Sequence, residues 1–336
     1  MRFDQNKKQT IRRYILEKID QGDPTLSKTV SETFGINQAT VHGYIKELID
    51  ENIIQRVRRG VYELITQEYR YSLKRSEGHL DSDTYAYDTY FKQHIADFAS
   101  NVREIWAYTF SEMINNVMDH SNAENLHLLV TQSYLSTSVL ITDDGVGIFK
   151  KIKDHFDFDT LDDAIGELFK GKLTTDSENH SGEGIFFSSK LMDSFMILSD
   201  QKIFLGNKYE SNSIISIPQH QQCGTSVFME LSNFTQKRTQ EVFDLYANVD
   251  GGFTKTRVPL KNMFDTSPVS RSQAKRVCNR LDNFEEVILD FEGLEWMGQG
   301  FAHQIFVVFQ NAHPQILLTP VNMNEAVTKM YQHVTS

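Results

Sequence analysis

The chain is short of three things. Cysteine occurs only twice in 336 residues, at Cys223 and Cys278. The two lie far apart without metal-type spacing, so reduced structural thiols are expected rather than a disulfide framework. No apolar run approaches the roughly 20 residues needed to cross a bilayer. The opening Met1-Arg2-Phe3-Asp4-Gln5 lacks the apolar core of a signal peptide. A cytoplasmic location and no membrane partner are therefore expected. Basic charge is also scarce: 34 lysines and arginines stand against 45 acids, a formal net charge of −11. That balance excludes nucleic acid as a partner of the whole surface and leaves room for one basic module.

What is present is globular in kind. Hydrophobic residues make up 40% and charged residues 24% of the chain, and the length allows two or three domains, each with its own core.

Residues 9–20 read as a helix, with Ile11, Ile15, Leu16 and Ile19 at helical spacing. The breaker Gly22-Asp23-Pro24 precedes a second helix at 26–34 and a turn at Gly35. A third helix starts at Asn37, a candidate N-cap, and buries Val41, Ile45, Leu48 and Ile49. Two short alternating runs, 53–57 and 61–65, join at Arg58-Arg59-Gly60. Helix, helix, turn, helix, hairpin is the order of a winged helix-turn-helix, and residues 1–67 resemble that family. The resemblance implies that the third helix enters the major groove of double-stranded DNA with Gln38, Thr40, His42 and Lys46 outward. Arg56, Arg58 and Arg59 on the wing would then meet phosphates or the minor groove. Lysines and arginines over residues 1–66 outnumber acids by eleven to nine, whereas the remainder is strongly acidic. The same fold also serves protein contacts or dimerisation.

Residues 68–84 are polar, charged and without period, which reads as a linker. An aromatic-rich helix at 85–100 then leads into the stretch Phe110-Ser-Glu-Met-Ile-Asn-Asn-Val-Met-Asp-His-Ser121. On a helical wheel Trp106, Phe110, Met113, Ile114, Val117 and Met118 form an apolar face, with Glu112, Asn115, Asn116 and Asp119 opposite. Glu112 and Asn116 are one turn apart and point into the same volume, as a hydrated divalent cation and a water would require. Taken alone, the helix reads as an ordinary amphipathic one with a solvated face.

Later stretches sharpen this. Residues 126–131 and 138–142 alternate as strands, and the second runs into Asp143-Asp144-Gly145-Val146-Gly147-Ile148. An acid followed by Gly-x-Gly lets the backbone turn sharply and pass close to a ligand. His180-Ser181-Gly182-Glu183-Gly184-Ile185 opens another helix, whose N-terminal amides suit an anion. Cys223-Gly224-Thr225-Ser226 precedes the strand 227–231. The order Glu-x-x-x-Asn-x-x-x-His, Asp-x-Gly-x-Gly, Gly-x-Gly, Gly-Thr resembles the ATP-binding fold shared by gyrase B, heat-shock chaperones, histidine kinases and MutL, called GHKL.

That resemblance covers residues 85–233 and implies ATP and Mg²⁺ as cofactors. It makes Asn116 the protein's ligand to Mg²⁺ and Glu112 the general base for the attacking nucleophile. It assigns Asp143 to the adenine amine, with Gly145 and Gly147 allowing close approach. Gly182 and Gly184 would seat phosphates on backbone amides, and Thr225 would support the adenine end. His120 sits where histidine kinases and anti-sigma kinases often carry histidine; it is equally a partly buried structural residue. Residues 150–181 would form the ATP lid, where Lys170 and Lys172 either reach the phosphates or are solvated.

After a second linker, 234–253, strands at 254–260 and 287–291 flank a helix at 270–281. A helix at 300–310, a strand at 316–318 and a helix at 324–333 follow, an alternation that argues a small α/β layer fold. The stretch Val287-Ile-Leu-Asp-Phe-Glu-Gly-Leu-Glu-Trp-Met-Gly-Gln-Gly-Phe301 resembles a STAS-type domain, over 254–336. Where phosphorylated STAS domains carry an acceptor Ser, Gln299 stands here, and a carboxamide accepts no phosphoryl group.

The fold class expected is thus multidomain α+β: a winged helix, a GHKL α/β sandwich of a mixed sheet with helices on one face, and a small STAS-like domain. The function expected is an ATP-binding, slowly ATP-hydrolysing, DNA-binding regulator, with a protein partner for the STAS-like domain. The alternative is an anti-sigma-type serine/threonine protein kinase acting on another protein. A histidine kinase using His94 lacks the charged neighbour that such sites show after the histidine. A clamp of the gyrase or MutL type lacks a transducer domain, although nucleotide-driven homodimerisation stays open.

Overall fold

The computed structural model describes residues 5–173, 182–207, 213–216, 224–248, 252–264 and 266–336. The chain divides into two compact units, residues 1–70 with 129–139 and 231–235, and residues 71–128 with 140–230 and 236–336.

In the first unit α1 (Gln5–Asp20) buries Ile11, Ile15, Leu16 and Ile19, the stripe its spacing predicts. Helix α2 (Leu26–Phe34) stops at Gly35, whose left-handed φ of 61° a side chain would resist. Helix α3 (Gln38–Asp50) is capped by Asn37, whose Oδ1 accepts from Thr40 N–H at 2.7 Å. Arg12, beside the apolar stripe of α1, is 7% exposed. It reaches α3 and its C-cap, donating to Glu51 Oε1 at 2.8 Å and pairing with Glu47 at 3.4 Å. Strands β1 (Ile54–Arg58) and β2 (Val61–Leu64) form an antiparallel hairpin with a bulge between Arg56 and Arg58.

Seven strands form the large sheet: β3 (Gln67–Lys74), β4 (Asn125–Gln132), β5 (Ser136–Asp143), β6 (Ser194–Ser199), β7 (Lys202–Asn207), β8 (Ser213–Ser216) and β9 (Thr225–Ser232). Their order is β3-β4-β5-β9-β6-β7-β8, with β6 antiparallel to both β9 and β7. Strand β3 corrects the expectation of a linker over 68–84. It is an edge strand in which half-buried Tyr69 and Tyr71 and buried Leu73 alternate with exposed Arg70, Ser72 and Lys74, a period of two set among charged residues. The meander β6 to β8 also went unread in the sequence.

The helix expected over 85–100 is broken. After α4 (Asp83–Ala86) the chain widens into a π-type turn, Tyr87–Phe91, and a 3-10 turn, Lys92–His94. Ring packing decides this: Phe91 stacks on Phe110 at 4.8 Å and meets Trp106 at 5.1 Å. Both rings sit on α5 (Ser100–Asn116). The expected lid over 150–181 begins as α6 (Ile148–Phe156) and α7 (Leu161–Leu168); its Thr174-Thr175-Asp176-Ser177 run lies outside the described residues. Helix α8 (Gly184–Leu191) follows, and the second expected linker holds α9 (Thr239–Asp244).

The C-terminal part alternates as its sequence suggests. It runs through β10 (Lys255–Pro259), α10 (Arg271–Cys278) and β11 (Glu286–Asp290). Helix α11 (Gln299–His303) passes through a π-type stretch into α12 (Gln310–Ala312), followed by β12 (Leu317–Val321) and α13 (Glu325–Thr335). The three strands are parallel in the order β10-β11-β12. Cys278 is buried and its thiol is pushed up to about 12 by that burial, as suits an inert structural cysteine; Cys223 lies outside the described residues. Among the described residues no helix is long and apolar enough to cross a membrane.

Candidate functional site

Helix α5 presents its polar side because its other side is committed. Val102, Ile105, Trp106, Phe110, Met113 and Ile114 are buried, which turns Glu112, Asn115 and Asn116 away from the core. Past Asn116 the helix widens into a π-type turn, Val117–Ser121, and ends at Asn122 in the left-handed region, φ 55°. Arg75 satisfies the carbonyls this turn leaves free, donating to Ala123 O at 2.8 Å and Met118 O at 3.1 Å.

A cleft of about 280 Å³ opens beside this helix. Glu112, Asn116 and His120 line it from α5 and its continuation. Asp143, Gly147 and Thr225 line it from the sheet ends, and Gly182 and Gly184 from the start of α8. Four stretches separated in sequence thus meet around one volume.

Each turn is held by its own chemistry. The Asp143 carboxylate is 5% exposed and accepts from Gly145 N–H at 2.8 Å. Burial raises its pKa above the ordinary carboxyl value, against the pull of the Gly145 and Thr225 backbone amides. Asp144 faces the other way and fastens the turn, accepting from Glu124 N–H, Asn125 N–H and the Asn125 carboxamide. Gly145 packs so closely on Ser121 that an added Cβ would lie 2.2 Å from the Ser121 carbonyl oxygen. It supports the turn and is not in the cleft wall. Thr225 Oγ1 accepts from Ile148 N–H at 3.1 Å, and Ser199 Oγ accepts from the same N–H at 3.2 Å.

On the opposite wall Gly184 sits directly against Glu112: an added Cβ would be 2.0 Å from Glu112 Oε2. Glu183, Gly184 and Ile185, at the start of α8, line the cleft. Gly182, at φ 71°, returns its carbonyl to Leu173 N–H at 3.0 Å. Tyr108 lies near both carboxylates; burial chiefly, then Glu112 and Glu183, raises its pKa.

Two lysines depart from the sequence reading. Lys170 is 1% exposed, and its ammonium donates to Glu167 Oε1 at 2.7 Å, Asn279 O at 2.8 Å and Arg276 O at 3.0 Å. It is neither in the cleft wall nor solvated. Burial lowers its pKa, against the attraction of Glu167. Lys172 is not in the cleft wall: its Nζ donates to Asn283 O at 2.8 Å and lies over the Phe284 ring at 4.9 Å. A lysine the sequence did not single out, Lys151, does line the cleft, and its Nζ donates to His120 O at 2.6 Å. Its position one turn beyond Gly147, with Ile148 and Ile152 at helical spacing, was the available signal.

Asn116 Nδ2 makes a weak contact to Met113 Sδ at 4.0 Å, so its carboxamide oxygen can serve a ligand. Among the described residues no group of three or more His, Cys, Asp or Glu side chains could hold a metal ion. A hard cation here would therefore rely on Asn116, phosphate oxygens and water, which suits Mg²⁺.

In the first unit Gln38, His42 and Lys46 are exposed on α3, and Arg56, Arg58 and Arg59 are exposed on the hairpin. Thr40 is half-buried, and its hydroxyl donates to Asn37 Oδ1 at 2.8 Å, so it serves the cap. His94, the histidine before the site, is hydrogen-bonded to Tyr71 OH at 2.8 Å, and burial lowers its pKa. Gln299 is exposed at the start of α11.

Comparison with curated proteins returns no match. Residues 273–328 match the family model described as a STAS-like domain of unknown function, DUF4325. From within α10 to within α13, the chain carries a STAS-like domain.

Proposed function

We propose that the cleft binds Mg·ATP and that the protein is a nucleotide-controlled, DNA-binding regulator. One observation carries the nucleotide reading. Glu112 and Asn116, one turn apart on α5, line the same volume as Asp143, Thr225 and the glycines opening α8. This is the arrangement that a GHKL-type ATP site requires.

The chain's own residues divide the work. Asp143, ionised, accepts the adenine amine, and Gly147, where a Cβ would meet the Asp200 carboxylate at 2.7 Å, lines the cleft beside it. The amides at the start of α8 receive phosphate oxygens, and Lys151 adds positive charge to the same cleft. Asn116 holds the cation, which when bound neutralises phosphate charge. Glu112, held against Gly184, orients a water and takes its proton. With Glu112 as the base, slow hydrolysis is the expected outcome.

In the first unit, the three-helix and hairpin order supports a winged helix whose exposed α3 face and hairpin arginines meet DNA. Gln38, His42 and Lys46 would read bases, and Arg56, Arg58 and Arg59 would contact phosphates. The STAS-like domain supports a protein contact.

Phosphate release by the full chain with Mg·ATP, beside Glu112→Ala and Asn116→Ala, tests the site. Release lost in both variants supports it, and absence of nucleotide binding by the wild type refutes it. Label appearing on an added protein would instead establish the kinase alternative. Gel shifts with and without nucleotide test the DNA arm, which no affinity in either state would end.

A further inference from the structure

The segment from Glu167 to Leu173 forms a strap from the end of α7 to the cleft, and the C-terminal part grips it at Glu167, Lys170, Gly171 and Lys172. Lys170 sends all three ammonium hydrogens to acceptors: Glu167 Oε1, Arg276 O and Asn279 O, the last two at the end of α10. Lys170 O accepts from Thr256 Oγ1 on β10 at 2.7 Å. Asn279 Nδ2 donates to Glu167 Oε1 at 3.2 Å, and Arg280 donates to Lys172 O and pairs with Glu167 Oε2 at 3.6 Å. Arg276 also pairs with Asp163 on α7. Gly171, at φ 83°, has no room for a Cβ, which would lie 2.7 Å from the Phe253 ring.

The strap is also part of the cleft. Leu168 and Leu173 both line it. The Leu173 backbone packs against Gly182, where a Cβ would lie 2.6 Å from Leu173 N, and Gly182 leads directly to Gly184 and Glu112. A continuous set of contacts therefore runs from the end of α10 to the phosphate side of the cleft.

We infer that the STAS-like domain and its β10 approach act in cis as a clamp that pre-organises the nucleotide cleft. Lys170 is the positioning residue, and α10 is the element whose placement nucleotide binding reports. This rests on the nucleotide reading above and adds how that site is controlled. A strap held in its binding geometry spares the ligand the ordering cost, so releasing it weakens binding. The coupling is reciprocal: nucleotide bound in the cleft must in turn stabilise the seating of α10. A partner protein that took the end of α10 would then change nucleotide affinity without touching the cleft.

The test uses the full chain and Mg·ATP. Lys170→Met removes the ammonium. Arg280→Ala, whose side chain is partly exposed, removes a grip from the C-terminal side and carries the test if the first variant does not fold. ATP affinity by calorimetry is expected to fall about fivefold or more in each folded variant. Hydrogen exchange in wild-type residues 271–283 is expected to slow when Mg·ATP saturates the protein. A smaller loss of affinity in the folded variants, or exchange over 271–283 indifferent to ATP, overturns the clamp alone. Failure of the wild type to bind Mg·ATP overturns the nucleotide reading and the clamp with it.

Discussion

Gly145→Ala tests whether the turn after β5 and the end of α5 are seated against each other as described. The backbone at Gly145 is not in the left-handed region, so the methyl group brings no conformational strain. Its effect is steric. The added Cβ would lie 2.2 Å from Ser121 O, 2.7 Å from Ser121 Cβ and 2.8 Å from Ser121 C. Two of these three are backbone atoms, so no side-chain rotation relieves them. The hydrogen bond from Val146 N–H to Ser121 O, 2.9 Å long, lies at the same contact and is lost as the two segments separate. Overpacking of this kind costs about 1–3 kcal/mol and the hydrogen bond about 1 more. A total of about 2–4 kcal/mol corresponds to a fall in Tm of roughly 4–16 °C for a unit of this size. The control is Gly43→Ala on α3, where an added Cβ meets nothing within 4 Å. There the methyl group is expected to stabilise by about 0.5–1 kcal/mol through helix propensity. Trp106, fully buried on α5, reports Gly145→Ala by fluorescence during urea unfolding in a Trp296→Phe background, and exchange of the α3 amides reports Gly43→Ala in the first unit. A Gly145→Ala protein as stable as its parent would refute the packing of this turn on Ser121.

Gly184→Ala places its clash on the movable end of Glu112, so stability should change by less than about 1 kcal/mol while the carboxylate swings away. Nucleotide binding is expected to persist, with phosphate release falling on the order of 100-fold; release at the parental rate would remove Glu112 from the chemistry. Asp143 gives a pH dependence. Burial raises its folded pKa, so as pH falls it protonates earlier than the ordinary value of about 3.9 and ceases to accept a hydrogen bond. ATP affinity should fall as pH drops through that raised pKa. Asp143→Asn should flatten the profile, and a wild-type affinity constant from pH 7 to 4 would count against Asp143 as the base-binding acid. In the first unit Arg12→Met removes the shared partner of Glu47 and Glu51, both nearly half exposed, and should cost about 1 kcal/mol or less of that unit's stability, read by exchange of α1 and α3 amides.

The sequence by itself determined the local features. Helical periodicity alone sets Glu112 and Asn116 one turn apart and opposite Trp106, Phe110 and Ile114, and the structure keeps that division. Asn37 could be named as a cap because its chemistry acts on an amide three residues away. The C-terminal alternation of strands and helices was legible because β11 carries the apolar run Val287-Ile288-Leu289, whose alternate residues Val287 and Leu289 are buried. Edge strand β3 was missed although Tyr69, Tyr71 and Leu73 alternate with polar residues, because only Leu73 is fully buried and the charges around it read as a linker. Nor was the break at Tyr87–Phe91, where stacking on Phe110, a residue in another helix, outweighs helical regularity. Lys170 and Lys172 show the limit most sharply. A lysine's sequence position says that it carries charge and a long stem, but its destination depends on where acceptors lie. Here those acceptors are carbonyls 106, 109 and 111 residues further along the chain. Only the tertiary structure brings them within reach, because a buried ammonium must find three partners wherever the fold supplies them.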